Sequence, residues 1–129
     1  MVLRRVEWTM FGLGDLEGAV MEVLWRTDHP ARVRDVLEGL GPDRPLAYTT
    51  VMTVLDNLHR KGWVHRTLDG RAYRYRPALS REDATVRALR NVLDASGDPA
   101  AALLRFARSA SDQEAEVLRT ALAEKARRG

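Results

Sequence analysis

The spacing of apolar residues changes abruptly at Gly62, and this change limits the fold more than any other feature of the chain. From about Ala47 to Lys61, apolar side chains recur every three or four residues, which predicts a helix with one buried face. From Trp63 to Leu68 and from Arg71 to Arg76 the residues alternate, which predicts two strands. Asp69-Gly70 between them indicates a type I′ hairpin turn. We therefore expect a helix followed at once by a tight hairpin.

The predicted turn determines how the two strands pair. With Asp69 and Gly70 at its centre, the expected pairs are Thr67 with Ala72, Arg66 with Tyr73 and Val64 with Tyr75. Tyr73 and Tyr75 are expected to pack the hairpin onto the core. Pro77 should end the second strand, because proline lacks the backbone N–H that a ladder needs.

Two shorter helices precede this region. The first has an apolar face at helical spacing, formed by Leu16, Ala19, Val20, Val23 and Leu24. The second has Val33, Val36, Leu37 and Leu40 on one face. It should end at Gly41, where the chain enters a turn with two closely spaced prolines.

The last third of the chain is predicted to form three more helices. Ser80 opens the first, Asp98-Pro99 opens the second with proline at the first helical position, and Ser111 with Glu114 forms a capping box. Their apolar faces are too small for a substantial core of their own, so we expect a dimer interface, with folding back onto the N-terminal part as the alternative. The residues of this interface would be Val86, Leu89, Leu93, Leu103, Leu104, Phe106, Leu118 and Leu122.

The element order predicts a mainly α-helical fold with a small β-hairpin, an N-terminal winged helix-turn-helix followed by a three-helix dimerisation domain. Residues 1–12 are expected to be a loose N-terminal extension, residues 13–78 the DNA-binding domain, and residues 79–129 the helical dimerisation domain. Within the extension, residues 1–9 are either a minor-groove arm using Arg4 and Arg5 or disordered, and disorder is favoured.

The net charge of +3 is unevenly distributed along the chain. Residues 43–76 carry seven basic and three acidic side chains, whereas the segments before and after are nearly balanced. A positive stripe in an otherwise nearly neutral chain is typical of a nucleic-acid contact, although solvated surface arginines are the alternative on charge alone.

Several classes of protein are excluded by what the sequence lacks. There is no cysteine for disulfides, thiolate metal sites or a thiol nucleophile, and no catalytic or phosphate-binding motif. His59 and His65 lack a clear third ligand, so we expect no metal, no cofactor and no enzyme activity. No apolar run approaches the roughly 18 residues of a membrane span, and no secretory leader is recognisable. We expect a cytoplasmic protein that does not associate with membranes.

The outward face of the third helix suits the reading of DNA bases. Thr49, Thr50 and Thr53 lie in its first half, where a hydroxyl can reach base edges and a methyl can contact thymine. Ordinary solvent-facing threonines are the alternative. Contacts to the DNA backbone are expected from Tyr48, Asn57, Arg60, Lys61, Arg66, Arg71 and Arg74. Such contacts add affinity and salt dependence rather than sequence preference.

Together these features favour a protein that reads double-stranded DNA in a sequence-specific way as a dimer. A protein-interaction module is the alternative, since winged helices also dock proteins. That alternative predicts weak DNA binding without sequence preference.

The residues also resemble a known family. Leu13-Gly14-Asp15-Leu16-Glu17, Val20-Met21, Leu24-Trp25 and Val33-Arg34-Asp35-Val36 are similar to the opening of the BlaI/MecI/CopY penicillinase-repressor family. The stretch 46–55, followed by Leu58, Arg60-Lys61-Gly62 and the segment 69–75, resembles it more closely. The resemblance covers about residues 13–128 and is most specific in the third helix and the hairpin.

The resemblance implies a homodimeric repressor on an inverted-repeat operator, with recognition residues at Thr49, Thr50 and Thr53. Penicillinase repressors of this family are inactivated when a membrane sensor metalloprotease triggers cleavage of the dimerisation domain at an Asn-Phe bond. The matching position here is Arg105-Phe106, so proteolytic relief through such a sensor stays an open alternative. The copper-responsive branch carries a C-terminal cysteine cluster, which this chain lacks.

Overall fold

The computed structural model describes residues 7–129 and contains seven helical segments and one hairpin within them. A short 3-10 helix, Trp8–Phe11, comes first. The other elements in chain order are α1 (Asp15–Arg26), α2 (Val33–Leu40), α3 (Tyr48–Arg60), β1 (Val64–Asp69), β2 (Ala72–Pro77), α4 (Arg81–Ala95), α5 (Pro99–Ser109) and α6 (Asp112–Arg128). The predicted fold class is confirmed.

One hydrophobic core holds the N-terminal elements together. Met21 of α1, Val36 of α2 and Leu55 of α3 are fully buried in it, and the hairpin adds Val64 and Tyr75. Each helix supplies the face that the apolar spacing predicts. The opposite face of α3 is therefore left to solvent.

The segment before α1 is ordered from Trp8 onwards, contrary to the expectation of a loose extension over these residues. The Trp8 ring is buried against α1, where Gly18 leaves room for it. A Cβ atom at Gly18 would lie 2.2 Å from the ring. Trp8 also stacks near Phe11 and Trp25, with ring centroids 5.4 and 6.2 Å away. Arg4 and Arg5 lie outside the described residues.

The register of the two strands differs by two residues from the predicted one: Ala72 pairs with Asp69 and not with Thr67. Asp69 pairs with Ala72, Thr67 with Arg74 and Arg66 with Tyr75, so Gly70-Arg71 forms the turn. The reason is backbone strain: a type I′ turn centred on Asp69-Gly70 needs positive φ at Asp69 as well, whereas only glycines adopt positive φ among the described residues. With Gly70 first in the turn, one positive φ, +67°, suffices.

The hairpin shift is an even number of residues, so the inner face stays the same. Tyr75 is buried as expected, with 2% of its surface exposed. Tyr73 is 39% exposed, which contradicts the expectation that both tyrosines pack into the core. Tyr73 pairs with Leu68 close to the turn, and both side chains are exposed there.

The N-terminal end of α2 fastens the hairpin from one side. Ala31 and Tyr75 exchange two backbone hydrogen bonds of 2.8 Å, so Ala31, two residues before α2, forms an isolated bridge to β2. The Trp25 indole N–H donates to the Leu79 carbonyl at 2.9 Å and fixes the chain where it leaves β2. The wing, defined here as residues 64–77, is thus attached to the helical part at its base, where β2 ends.

By its contacts the chain divides into two compact units, one ending at Ala88 and the other formed by Leu89–Gly129. The sequence analysis predicted a domain boundary between residues 78 and 79. The contacts divide within α4 because Ala84, in its first half, belongs to the N-terminal core, and Ala88 is buried one turn later.

The second unit contains the end of α4 with α5 and α6, and its helix starts follow the predicted signals. The Asp98 carboxylate accepts a hydrogen bond from the Ala101 N–H at 3.1 Å. Ser111 and Glu114 form the reciprocal bonds of a capping box, 3.1 and 2.8 Å long. None of the residues from 89 to 129 is buried.

Over residues 7–129, no helix has both the length and the apolar character needed to cross a bilayer.

Candidate nucleic-acid interface

The exposed face of α3 carries the predicted base-reading residues at its N-terminal half. Thr49, Thr50 and Thr53 are all exposed, while Val51 and Leu55 anchor the opposite face in the core. The Thr53 hydroxyl donates to the Thr49 carbonyl at 3.0 Å, which restrains its rotamer. Tyr48 and Met52 of the same helix are exposed as well.

A second group of predicted contacts lies at the C-terminal end of α3. Lys61 forms an ion pair of 2.8 Å with Glu17 of α1, and Arg60 contacts both Asn57 and Asp56. The Arg60 and Asp56 side chains are 69% and 47% exposed, so their pair contributes little to stability. The Glu17 side chain is only 13% exposed, which makes the pair with Lys61 the more enclosed of the two. The predicted helix residues thus form two groups, one at each end of α3.

The wing presents its basic side chains unequally. Arg71 in the turn is exposed and has no side-chain partner among the described residues. Arg74 is bound to Asp69 at 2.6 Å, and Arg32 reaches the same carboxylate at 3.4 Å. The hydrogen bond and charge of Arg74, with those of Arg32, hold the pKa of Asp69 below its usual value. Among the described residues, Arg71 and Arg76 are therefore the exposed wing arginines that form no ion pair, and Arg71 is the one in the turn.

Arg66 is placed differently from the other wing arginines, because it lies on the inner face of the hairpin. Its guanidinium contacts the Asp56 carboxylate at 3.1 Å and lies 4.2 Å from the centre of the Tyr73 ring. Only 24% of its side chain is exposed. Burial by itself would lower the pKa of Arg66, but hydrogen bonds to Tyr75 and Asp56 outweigh it and raise that pKa.

A groove of about 520 Å³ separates the start of α2, the start of α3 and β2. It is bordered by Tyr48 and Met52 of α3, Arg71 and Tyr73 of the wing, and Arg32 and Arg34 of α2. Arg32 and Arg34 were not among the predicted contacts. Their signal in the sequence was the alternation of arginine with buried Ala31 and Val33, which turns two arginines to the outside beside the wing.

The predicted dimerisation residues lie exposed on the second unit and the adjoining part of α4. Leu103, Leu104 and Phe106 share α5, and Phe106 is 54% exposed. Leu118 and Leu122 lie on α6, and Leu122 is 63% exposed. Val86 and Leu89 on α4 are likewise exposed, while Leu93 is half-buried. Val92 and Val117, which were not among the predicted residues, are exposed as well.

The geometry therefore defines a class of protein. Three helices, a basic wing and a polar outward face on the third helix form the winged-helix arrangement of DNA-binding proteins.

Comparison with known proteins narrows the class to one family. Residues 13–124 match the family model of the penicillinase repressors. The chain is 45% identical over 115 residues to the transcriptional regulator BlaI of Mycobacterium tuberculosis. The alignment covers 87% of this chain and 83% of that protein. This chain belongs to the penicillinase repressor family. Members of this family are transcriptional repressors and not enzymes.

Two solved structures are similar to the chain. The monomeric form of Bacillus licheniformis BlaI, solved in complex with the blaP half-operator, is 27% identical with a TM-score of 0.46, covering 55% of this chain and 85% of that one. MepR, a transcription regulator of the Staphylococcus aureus multidrug efflux pump MepA, is 20% identical with a TM-score of 0.46. This match covers 89% of this chain and 78% of that one.

Proposed function

We propose that this chain is a cytoplasmic repressor that binds an inverted-repeat operator as a homodimer and blocks transcription by occupying the promoter. The observation that carries the proposal is the exposed polar face of α3, set beside a basic wing on a rigid core. A relative that is 45% identical is a transcriptional regulator, which supports the same role.

In this proposal base reading and backbone contact are divided between two sets of residues. Thr49, Thr50 and Thr53 read bases in the major groove through hydroxyl and methyl groups. The residues proposed to contact the DNA backbone are Tyr48, Asn57, Arg60, Lys61, Arg71 and Arg74. We add Arg32 and Arg34 to this set because they border the groove beside the wing. Phosphate contacts fix the register of α3 without choosing the sequence.

The dimer is proposed from the second unit. Its helices have exposed apolar faces, and burying one leucine or phenylalanine side chain is worth roughly 1.5–3 kcal/mol. Helices as short as α5 are marginal without tertiary packing, so a partner surface is needed. A second copy of the same unit offers that surface through two-fold symmetry, which matches an inverted repeat.

Relief of repression by proteolysis at Arg105-Phe106 remains a prediction. Both residues lie in the middle of α5 and are exposed in the single chain. A protease needs an extended substrate, so cleavage there requires α5 to unfold locally. Mass spectrometry of the chain recovered from cells treated with a β-lactam tests this route: a fragment ending at Arg105 supports it, and an intact chain under derepressing conditions contradicts it.

The division between base reading and backbone contact is tested by Thr53→Ala and Arg71→Ala. We expect Thr53→Ala to weaken operator binding by about 1–3 kcal/mol and to leave binding to random DNA nearly unchanged. Arg71→Ala should weaken both and reduce the salt slope by about one. Titrations on operator and random duplexes at several salt concentrations measure both effects.

Equal losses on the two DNAs for both variants would contradict the division of labour. If the wild-type chain binds every sequence weakly and alike, the protein-interaction module is the better explanation, and the threonine face is ordinary surface.

A further inference from the structure

Arg66 was expected to bind DNA phosphates, but its guanidinium is already occupied from two sides. One side meets the Asp56 carboxylate of α3 at 3.1 Å. The flat face lies 4.2 Å from the centre of the Tyr73 ring of β2, within the range of a cation–π contact. With only 24% of the side chain exposed, it is the least exposed of the wing arginines that form ion pairs.

We propose that Arg66 is a positioning residue, a brace that sets the angle between the wing and the recognition helix, and that it does not contact DNA. Asp56, Arg66 and Tyr73 form a continuous link from α3 through β1 to β2. The inference rests on the proposed function, since it concerns how the same interface is held for DNA.

The location of the brace explains why it is needed. The base of the wing is secured by buried Val64 and Tyr75 and by the backbone pairing of Ala31 with Tyr75. Towards the turn the inner face loses this cover, and Leu68 opposite Tyr73 is 60% exposed. A two-stranded hairpin without a packed face is marginal in water. Arg66 lies where the packed part ends, one inner-face position before Leu68.

Asp56 is suited to this role because it binds with both oxygens. One carboxylate oxygen contacts Arg66, and the other contacts Arg60 at 3.4 Å. A lone carboxylate on a DNA-facing helix would repel phosphates and weaken DNA binding. The pairing of Asp56 with Arg66 gives a reason for a carboxylate at this position of α3.

The test compares Asp56→Asn with Arg66→Gln in the full-length chain. If Arg66 bound phosphate, Asp56→Asn would free an arginine, remove a negative charge and strengthen DNA binding. A brace predicts the reverse: Asp56→Asn and Arg66→Gln each weaken operator binding about tenfold, and the double variant is no worse than either alone. Asp43→Asn removes an exposed carboxylate from the turn before α3 and serves as the charge control.

Hydrogen exchange without DNA tests the brace independently of the proposed function. We expect the β1 and β2 amides to exchange faster in Asp56→Asn and Arg66→Gln, with α1 amides unchanged as the measure of intact folding. Arg66→Lys keeps the charge but lacks the planar guanidinium, so it should behave like Arg66→Gln.

Unchanged hairpin exchange in both variants would overturn the brace, as would full operator affinity in Asp56→Asn or Arg66→Lys. Faster exchange with unaltered operator affinity would also overturn it, because the wing position would then not matter for binding. If the wild-type chain shows no operator preference, the proposed function fails while the exchange data still decide whether the brace exists.

Discussion

In the unit ending at Ala88, valines and leucines from three helices close over one core, whereas in the unit Leu89–Gly129 side chains of the same types are exposed. The better capped helix starts lie in the second unit, where Asp98 and Ser111 cap α5 and α6, whereas α1, α2 and α3 begin without a side-chain cap. Capping forms helices in the second unit, but only the first unit completes its packing within one chain. This difference is what the proposed dimer explains, since a second copy would cover the apolar side chains that one chain leaves exposed.

The largest expected effect comes from removing the second unit. A chain ending at Ala88 keeps the whole core, so we expect it to fold as a monomer. Without the second unit, two DNA-binding units are no longer linked on the two half-sites, so operator affinity should fall by at least about 100-fold. Sedimentation velocity and operator titration measure the two properties. A fragment that still dimerises, or that binds the operator as the full chain does, would contradict the assignment of the second unit.

A pair of leucine substitutions compares the units directly. Leu55→Ala opens a cavity in the core and should cost about 2–5 kcal/mol of unfolding free energy. Leu122→Ala should leave that free energy nearly unchanged and instead raise the dimer dissociation constant about tenfold or more.

The three tryptophans Trp8, Trp25 and Trp63 all lie in the first unit, so their fluorescence follows its unfolding alone. Sedimentation equilibrium gives the dissociation constant. The contrast between the units breaks down if Leu122→Ala shifts the fluorescence transition as far as Leu55→Ala does.

A smaller effect is expected where Trp8 packs on Gly18. Gly18→Ala places a methyl group 2.2 Å from the indole and should destabilise the first unit by about 1–3 kcal/mol, measured as a lower urea midpoint. In a Trp8→Ala background the same change should be neutral or slightly stabilising, because alanine favours helix. Equal losses in the two backgrounds would show that the ring does not occupy this space.

The smallest effect concerns the turn of the wing. Because Arg74 and Arg32 lower the pKa of Asp69, its stabilising contribution is present above the ordinary carboxyl pKa and is lost as the pH falls through the lowered value. We expect the amide signals of the wing to shift below about pH 4 in the wild-type chain and not in Asp69→Asn. Identical acid titrations of the wing in both chains would contradict this ion cluster.

Much of this fold follows from local sequence signals, and the exceptions involve contacts between distant residues. Helical spacing predicted the buried faces of α1, α2 and α3 because each face repeats within a few residues. Packing of Trp8 depends on Gly18, ten positions away and on another element, so no local pattern reveals it. The predicted hairpin pairing was wrong because the Asp-Gly turn rule requires a positive φ at Asp69. That φ would be strained in a non-glycine residue, and Asp69 does not adopt it.

The candidate site shows the same limit. Exposure of Thr49, Thr50 and Thr53 follows from the period of α3 and was predicted. The partner of Arg66 was not, because Asp56 lies on a helix and Arg66 on a strand, and only the folded chain brings them to 3.1 Å. A count of basic residues along the sequence cannot separate an arginine with a carboxylate partner from one, such as Arg71, that has no such partner within residues 7–129.

The most direct measurement is genome-wide occupancy of the tagged full-length chain, followed by footprinting on the strongest site. We expect a short inverted repeat that overlaps a promoter, with half-sites about one helical turn apart, or a multiple of it, and both halves protected together. Diffuse occupancy without a shared motif, or protection of a single half-site by the full-length chain, would contradict a dimeric operator-binding repressor.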